Sequence, residues 1–322
     1  MSATESAPPG GELAIGIDLG GTGTRLVALD GFGDTVAQLV VPTPADLPGD
    51  AAVAFLAERV GSLAGPAAVR SIGIGASGPI DAEGIIRNPD TLPAFTGVDL
   101  AGPLGAAFDA PVAVDNDAVT AAIGEAAVGA GRPFRSVLML TLGTGVGVAP
   151  LIDGEPVRGA DGVHPEAGHL SLSGRNAPCY CGRTACLEQV GSRTALQRSA
   201  SALLSRPSGG QQDIVAVYDR ALAGDQSATA MFDDYGSGIG DGLLDLLTVH
   251  RSACVILGGS AATYYPAFGA ALRARLSEVT TYVAPPPVRV SELGDLGGAL
   301  GAAILGSRRP DRSSWLSLGR AR

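Results

Sequence analysis

The chain has 322 residues, with 22 Lys+Arg against 32 Asp+Glu and a formal charge of −10. Hydrophobic residues make up 46% and charged residues 17%, enough for a buried core over about two domains of roughly 150 residues, which excludes a chain disordered throughout. Every basic side chain is arginine: no lysine occurs, so Schiff-base chemistry and the phosphate-binding lysines of P-loop and protein kinases are excluded.

The acidic balance argues against nucleic acid as the main partner, because phosphate backbones need clustered basic side chains. No stretch reaches the ~18 to 20 uninterrupted apolar residues of a membrane span, and MSATESAPPGGE at the start lacks a positive region before an apolar run. A cytoplasmic location without a membrane partner is expected. Four cysteines in such a compartment read as thiols or metal ligands rather than disulfides.

In chain order, residues 1–12 are rich in Ser, Pro, Gly and Glu and read as a loose tail. Three antiparallel strands are expected at 13–20, 25–30 and 35–42, then a helix at 50–64 and a strand Val69–Ala76. A Pro/Gly/Asp-rich loop to about Gly97 follows, then a short helix and a strand Pro111–Val114 that runs into Asp115-Asn116-Asp117 and a helix over 118–130. Strands resume at Ser136, where Leu140–Gly147 can be laid on Ile17–Thr24 at an offset of 123 residues. Unless two Gly/Thr hairpins match by chance, that repeat implies two similar β/α domains with a ligand crevice between them. Residues 187–250 read mainly as helix with a loop near 206–212. A strand Ala253–Leu257 enters Gly258-Gly259-Ser260, followed by a helix over 264–278, a strand Val288–Ser291 and a small-residue helix at 296–306.

Two glycine-rich hairpins carry the first chemical signal. In Asp18-Leu19-Gly20-Gly21-Thr22-Gly23-Thr24, glycines let the backbone approach a phosphate while amides and threonine hydroxyls donate to it. Asp18 at a strand end could hold Mg²⁺, or the segment could be no more than a tight turn. Gly143-Thr144-Gly145-Val146-Gly147 offers the same donors. Gly73-Ile74-Gly75-Ala76-Ser77-Gly78 fits the dinucleotide fingerprint by letter only, since Pro79, Asp81 and Gly84 stand where a helix is required. Asn116-Asp117 opens a helix, so Asp117 is either its cap or a general base that the helix N-terminus keeps ionised.

Cys179, Cys181 and Cys186, with His169 ten residues before the first thiol, have the composition of a four-ligand Zn²⁺ site; with no open position such a metal is structural. His164 and His169 are five residues apart and separated by Pro165 and Gly168, so they cannot share a helical face as in a zinc protease. Glu166 and Glu188 flank the zinc loop and either suit hydrogen bonding to the hydroxyls of a polyol or simply face solvent.

In order, DLGGTGT, NDA, LGTGVG, E-x-G-H, C-x-C-G-x-x-x-C-L-E and LGG resemble the ROK family of sugar kinases, bacterial glucokinases in particular, from about Leu13 to Gly306. The resemblance implies an α/β chain with the actin-like ATPase (ribonuclease H-like) fold, two β/α domains closing a cleft over ATP and a sugar. It implies a tail 1–12, a small domain 13–117 completed by a helix near 294–306, a larger domain 118–293 holding the zinc loop 169–188, and a tail 307–322. Asp18, Gly20, Gly21, Thr22 and Thr24 would form the first phosphate loop and Gly143, Thr144 and Gly145 the second, with Gly258 and Gly259 near the adenosine. Asp117 matches the catalytic base. Asn88 lies in the stretch that corresponds to the sugar loop, and Asn116, Glu166, His169 and Glu188 match sugar-hydroxyl contacts. His169, Cys179, Cys181 and Cys186 match the structural Zn²⁺ site. The chain departs from the pattern at His164-Pro165 before the glutamate, at Asn88–Phe95 and at Ala185. The function expected is ATP- and Mg²⁺-dependent phosphorylation of a hydroxyl on glucose or a related hexose, by a homo-oligomer, dimer or tetramer. The alternatives are an amino-sugar or cyclitol kinase, a polyphosphate-dependent glucokinase, and a sugar-sensing regulator that does not bind DNA.

Overall fold

The computed structural model describes residues 11–207, 210–278 and 284–308. The expected tails lie outside these, except that Glu12 already belongs to the first strand and Ser307 to the last helix. The N-terminal half runs β1 (Glu12–Leu19), β2 (Gly23–Leu29), β3 (Thr35–Pro42), α1 (Gly49–Ala64), β4 (Ala68–Ala76), α2 (Ala101–Phe108), β5 (Val112–Asn116) and α3 (Asp117–Val128). There follow β6 (Val137–Leu142), β7 (Val146–Ile152) and the two-residue β8 (Glu155–Pro156). The stretch read as mainly helical resolves into α4 (Glu188–Gly191), α5 (Arg193–Leu203), α6 (Gln211–Leu222) and α7 (Gln226–His250). The chain ends with β9 (Cys254–Gly258), α8 (Tyr265–Ser277), β10 (Val288–Val290) and α9 (Gly297–Ser307).

The strands form two five-stranded sheets, ordered β3-β2-β1-β4-β5 and β8-β7-β6-β9-β10. In each, the first three strands pair antiparallel and the last two join parallel. The two orders are the same, which is the structural counterpart of the Gly/Thr repeat.

Alternation in β1 sorts its side chains by face. Leu13, Ile15, Ile17 and Leu19 are buried in a cluster with Leu56 and Val60 of α1 and with Phe95. Ala14 faces the other way, against Ala299 and Ala303 of α9. The same face carries Gly16, where a Cβ would stand 1.9 Å from the Ala299 carbonyl oxygen. Asp18 ends this row, so α9 lies directly over the strand that delivers the carboxylate. α3 packs on the second sheet through Ala118, Val119, Ala122 and Ile123 against Met139, Ala149 and Ile256.

α3 and α9 meet through small residues: a Cβ on Gly301 would stand 1.7 Å from the Thr120 carbonyl oxygen. The C-terminal end of α3 is clasped by Glu125, a fully buried carboxylate that accepts from Ala130 N–H, Ser291 Oγ, Glu292 N–H and Leu293 N–H. These bonds tie the connection between β10 and α9 to α3.

Gly301→Val should lower unfolding free energy by about 1–3 kcal/mol or more, as overpacking does. Gly61→Ala in α1, where nothing lies within 4 Å of the added Cβ, should be neutral or stabilising by about 0.5–1 kcal/mol. Urea titrations of the two variants check this.

Candidate functional site

Asp117 is the first residue of α3. Asn116, in extended conformation, is the residue that caps the helix, its side chain accepting from Ala118 N–H. Asp117 Oδ1 also accepts from Ala118 N–H at 2.8 Å, and Oδ2 accepts from Ser77 Oγ at 2.7 Å. No cation pairs with it among the described residues. Protein surrounds Asp117 on most sides, yet part of the residue remains reachable by solvent. Burial raises its pKa, with a smaller contribution from Glu166; Ser77, Ala118 and His164 pull the other way. A carboxylate in this setting has enhanced basicity and two hydrogen bonds that fix its orientation.

Asp18 is also close to Asp117. Burial first, then the Asp117 carboxylate, raises the Asp18 pKa to about 7, and Arg25 only partly opposes this. Arg25 Nη1 is 3.7 Å from Asp18 Oδ2, and its Nη2 is equally far from Asp295. A Cβ on Gly298, in the first turn of α9, would lie 3.0 Å from the Asp18 carboxyl carbon. Two carboxylates thus stand at the N-terminal ends of two packed helices.

The first hairpin is closed by Gly20 N–H to Gly23 carbonyl. Thr24 is fully buried, and its hydroxyl is bonded at 2.8 Å to Thr43, which itself donates to the Gly20 carbonyl. Thr24 therefore braces the hairpin from inside, while Gly20, Gly21 and exposed Thr22 form its bend. Gly21 sits against Thr91, where a Cβ would come within 2.6 Å of Cγ2. Thr91 N–H donates to Asn88 Oδ1, and Asn88 Nδ2 donates to the Ser77 carbonyl. Asn116 Nδ2 similarly donates to the Gly78 carbonyl. Both asparagines are thus held by the loop after β4, the segment whose glycines mimicked a dinucleotide fingerprint. No helix follows β4 directly, as the sequence required.

The second hairpin joins β6 to β7, with exposed Thr144 at its tip. Gly259 (φ 77°) abuts its first arm: a Cβ there would lie 2.7 Å from Leu142 backbone, and Gly258 pairs with Thr141. Glu188, buried at the start of α4, accepts from Val146 N–H at 3.2 Å and crowds Gly145.

Glu166 is half exposed. His164 Nε2 donates to its Oε1 at 3.1 Å, and this bond holds the Glu166 pKa below the usual range. His169 turns Nδ1 to Cys179 Sγ at 3.5 Å and Nε2 to the Tyr180 hydroxyl at 3.3 Å. One imidazole can therefore face a metal with Nδ1 while its Nε2 stays on the Tyr180 hydroxyl. The ligand atoms of His169, Cys179, Cys181 and Cys186 all lie within 4.8 Å of one another. Sulfurs on a tetrahedral Zn²⁺ at about 2.3 Å stand about 3.8 Å apart, and Cys181 and Cys186 are already at 3.6 Å. Without a cation, burial and the neighbouring thiols push Cys186 up to about 12, as expected of a donor set built to share a positive charge.

Sequence reasoning passed over Ser77, the partner of Asp117, because it lay inside the rejected fingerprint. It also passed over Arg158, which binds the buried Asp115 through both guanidinium nitrogens and so fastens the loop after β8 to the strand that delivers Asp117.

Two sheets of one topology, each ending in a glycine-rich hairpin, define the actin-like ATPase fold. A sequence profile described as the ROK family matches residues 14–309. The glucokinase of Thermotoga maritima is 28% identical over 304 residues, 90% of this chain and 96% of its own. The N-acetyl-D-glucosamine kinase of Shigella sonnei is 32% identical over 310 residues, 90% of this chain and 98% of its own. A ROK family glucokinase from Streptomyces griseus, solved with glucose and AMPPNP, superposes with a TM-score of 0.74 at 29% identity, covering 91% of this chain and 99% of that one. The chain belongs to the ROK family. No helix among the described residues is long and apolar enough to cross a membrane.

The Asp18 pKa has a consequence for stability. Below about pH 4 the carboxyl is protonated folded or unfolded; between pH 4 and 7 the unfolded chain ionises first, so stability falls as pH rises through the folded value. Asp18→Asn removes this loss. The variant should exceed wild type in stability at pH 8 by about 1 kcal/mol or more, one pKa unit being about 1.4 kcal/mol, and the excess should shrink at pH 5. Urea titrations at the two pH values, without nucleotide, provide the comparison.

Proposed function

We propose that the chain is an ATP-dependent sugar kinase, transferring a phosphoryl group to a hydroxyl of glucose or a related hexose with Asp117 as general base. The observation that carries the reading is the Asp117 carboxylate: deep in the protein, fixed by Ser77 and Ala118, unpaired with any cation among the described residues, and beside Asp18. Glu166, Glu188 and His169 hold the acceptor hydroxyls. Asp117 accepts the proton of the attacking hydroxyl as that oxygen bonds to the terminal phosphorus and the bond to the nucleotide oxygen breaks. Amides of the hairpins at 20–22 and 143–145 receive the developing phosphate charge. Asp18 is the residue suited to holding Mg²⁺, directly or through water; such a cation supplies charge neutralisation on the donor phosphates. The division into lobes 13–117 with 294–306, and 118–293, belongs to this reading, and its support is the packing of α9 on the first sheet and of α3 on the second. The relatives act, by name, on glucose and on N-acetyl-D-glucosamine, so an amino sugar is the next acceptor to consider.

His169, Cys179, Cys181 and Cys186 are assigned a structural Zn²⁺. Metal analysis of protein purified without chelator should find about one zinc per chain, and Cys186→Ser should bring this below half and lower the melting temperature. Full thermal stability without metal would remove the assignment.

ADP release should be measured with glucose, N-acetylated hexosamines, mannose, fructose and cyclitols. Glucose or an N-acetylated hexosamine should stimulate it strongly, and Asp117→Asn should bind that sugar while losing at least ~100-fold in kcat. No stimulation by any acceptor would sink the kinase reading, and a variant close to wild type would remove Asp117 from its role.

A further inference from the structure

A phosphoryl donor brings several negative charges to a chain that has no lysine. Arg25, Arg158, Arg175 and Arg275, among others, are committed to carboxylates. Arg193, the first residue of α5, has no carboxylate partner among the described residues. Its backbone N–H donates to the Gly143 carbonyl at 2.8 Å. Its guanidinium makes two long contacts to neutral oxygens, Nη2 to Thr144 Oγ1 and Nη1 to Gln197 Oε1, both at 3.4 Å. Thr194 Oγ1 donates to the Thr144 carbonyl at 2.9 Å, so the start of α5 grips the tip of the second hairpin from both sides. The helix is oriented with its positive end at that tip, and Ser192 caps it through Ala195 N–H. An uncommitted guanidinium, a helix N-terminus and a glycine-threonine bend therefore converge on one spot. Weak neutral contacts to a partly exposed guanidinium exchange readily for charge-assisted, bidentate ones.

We infer that Arg193 is the cation that binds the terminal phosphates of the donor at the second hairpin. This rests on the kinase reading above and adds to it a phosphate-contacting residue that no motif announced. The chemistry recognised is a chain of phosphoanhydride-linked phosphates, which nucleoside triphosphates and inorganic polyphosphate share. The guanidinium contributes charge to the leaving phosphate while Asp117 works at the acceptor, so the two ends of the transfer are served by separate elements.

The test uses the full-length enzyme with its best sugar, assayed with ATP and with inorganic polyphosphate as donors. Arg193→Gln should lower kcat/KM for whichever donor works by about tenfold to a hundredfold, as loss of a charged hydrogen bond does. Arg193→Lys should recover part of the loss. Direct titration should show ADP affinity falling more than AMP affinity, with sugar affinity in the absence of nucleotide unchanged; a merely structural role would move all three together. Arg193→Met, which keeps the aliphatic stem, gives the same reading if the glutamine variant does not fold. A donor kcat/KM within twofold of wild type, or equal losses for ADP and AMP, would overturn the inference. Absence of turnover in the wild-type enzyme would instead overturn the kinase reading itself.

Discussion

The close approach of α3 and α9 is the constraint from which the site follows. Helices whose facing positions are Gly124 and Gly301 can bring their backbones together, and Gly16 and Gly73 let α9 sink onto β1 and β4 in the same way. Larger residues would push α9 outward. As built, the first turn of α9 lies against Asp18 and the first turn of α3 begins with Asp117. The crossing thus brings together two carboxylates, Asp18 from β1 and Asp117 from the first turn of α3, directly after β5 of the same sheet. Neither has a tight cationic partner among the described residues; Arg25 stands off at 3.7 Å from one of them. Burial raises both pKa values, with the Asp117 carboxylate adding to the rise at Asp18 and Glu166 to the rise at Asp117, a local cost in stability.

The zinc loop bears on the same site through sequence adjacency. Cys186 is two residues before Glu188, and Gln189 Nε2 contacts Cys179 Sγ at 3.6 Å. Glu188 in turn accepts from Val146 N–H behind the second hairpin. A metal that fixes Cys186 therefore fixes Glu188 and, through it, the hairpin. His169 extends the linkage on the other side, because its Nε2 meets the Tyr180 hydroxyl while its Nδ1 faces the thiols. An ion held by these four side chains would tie the surroundings of Glu188 and the second hairpin together.

Much of this was legible in the sequence because it is written in local chemistry. Strand alternation, Gly/Thr bends and closely spaced cysteines are patterns of a few residues, and the offset repeat foretold two sheets of one order. What escaped were bonds between residues far apart in the chain. Ser77 reaches Asp117 across 40 positions, and Arg158 reaches Asp115 across 43. Arg193 reaches Thr144 across 49. Neither a serine after a glycine-rich strand nor an arginine opening a helix has a distinguishing pattern of its own. Thr24, expected in the first phosphate loop, has its hydroxyl turned inward to Thr43 by strand alternation, a long-range bond of the same kind.

One of the motif departures changes the surroundings of Glu166. His164 replaces no ligand, yet it donates to Glu166 and keeps that carboxylate ionised, so Glu166 presents oxygens that only accept. Glu188 accepts from Val146 N–H through one carboxylate oxygen. On the kinase reading proposed above, carboxylates that accept would favour a ring bearing several free hydroxyls over one whose hydroxyls are alkylated or phosphorylated. An N-acetyl group still donates through its amide N–H, so it meets this requirement at the carboxylates.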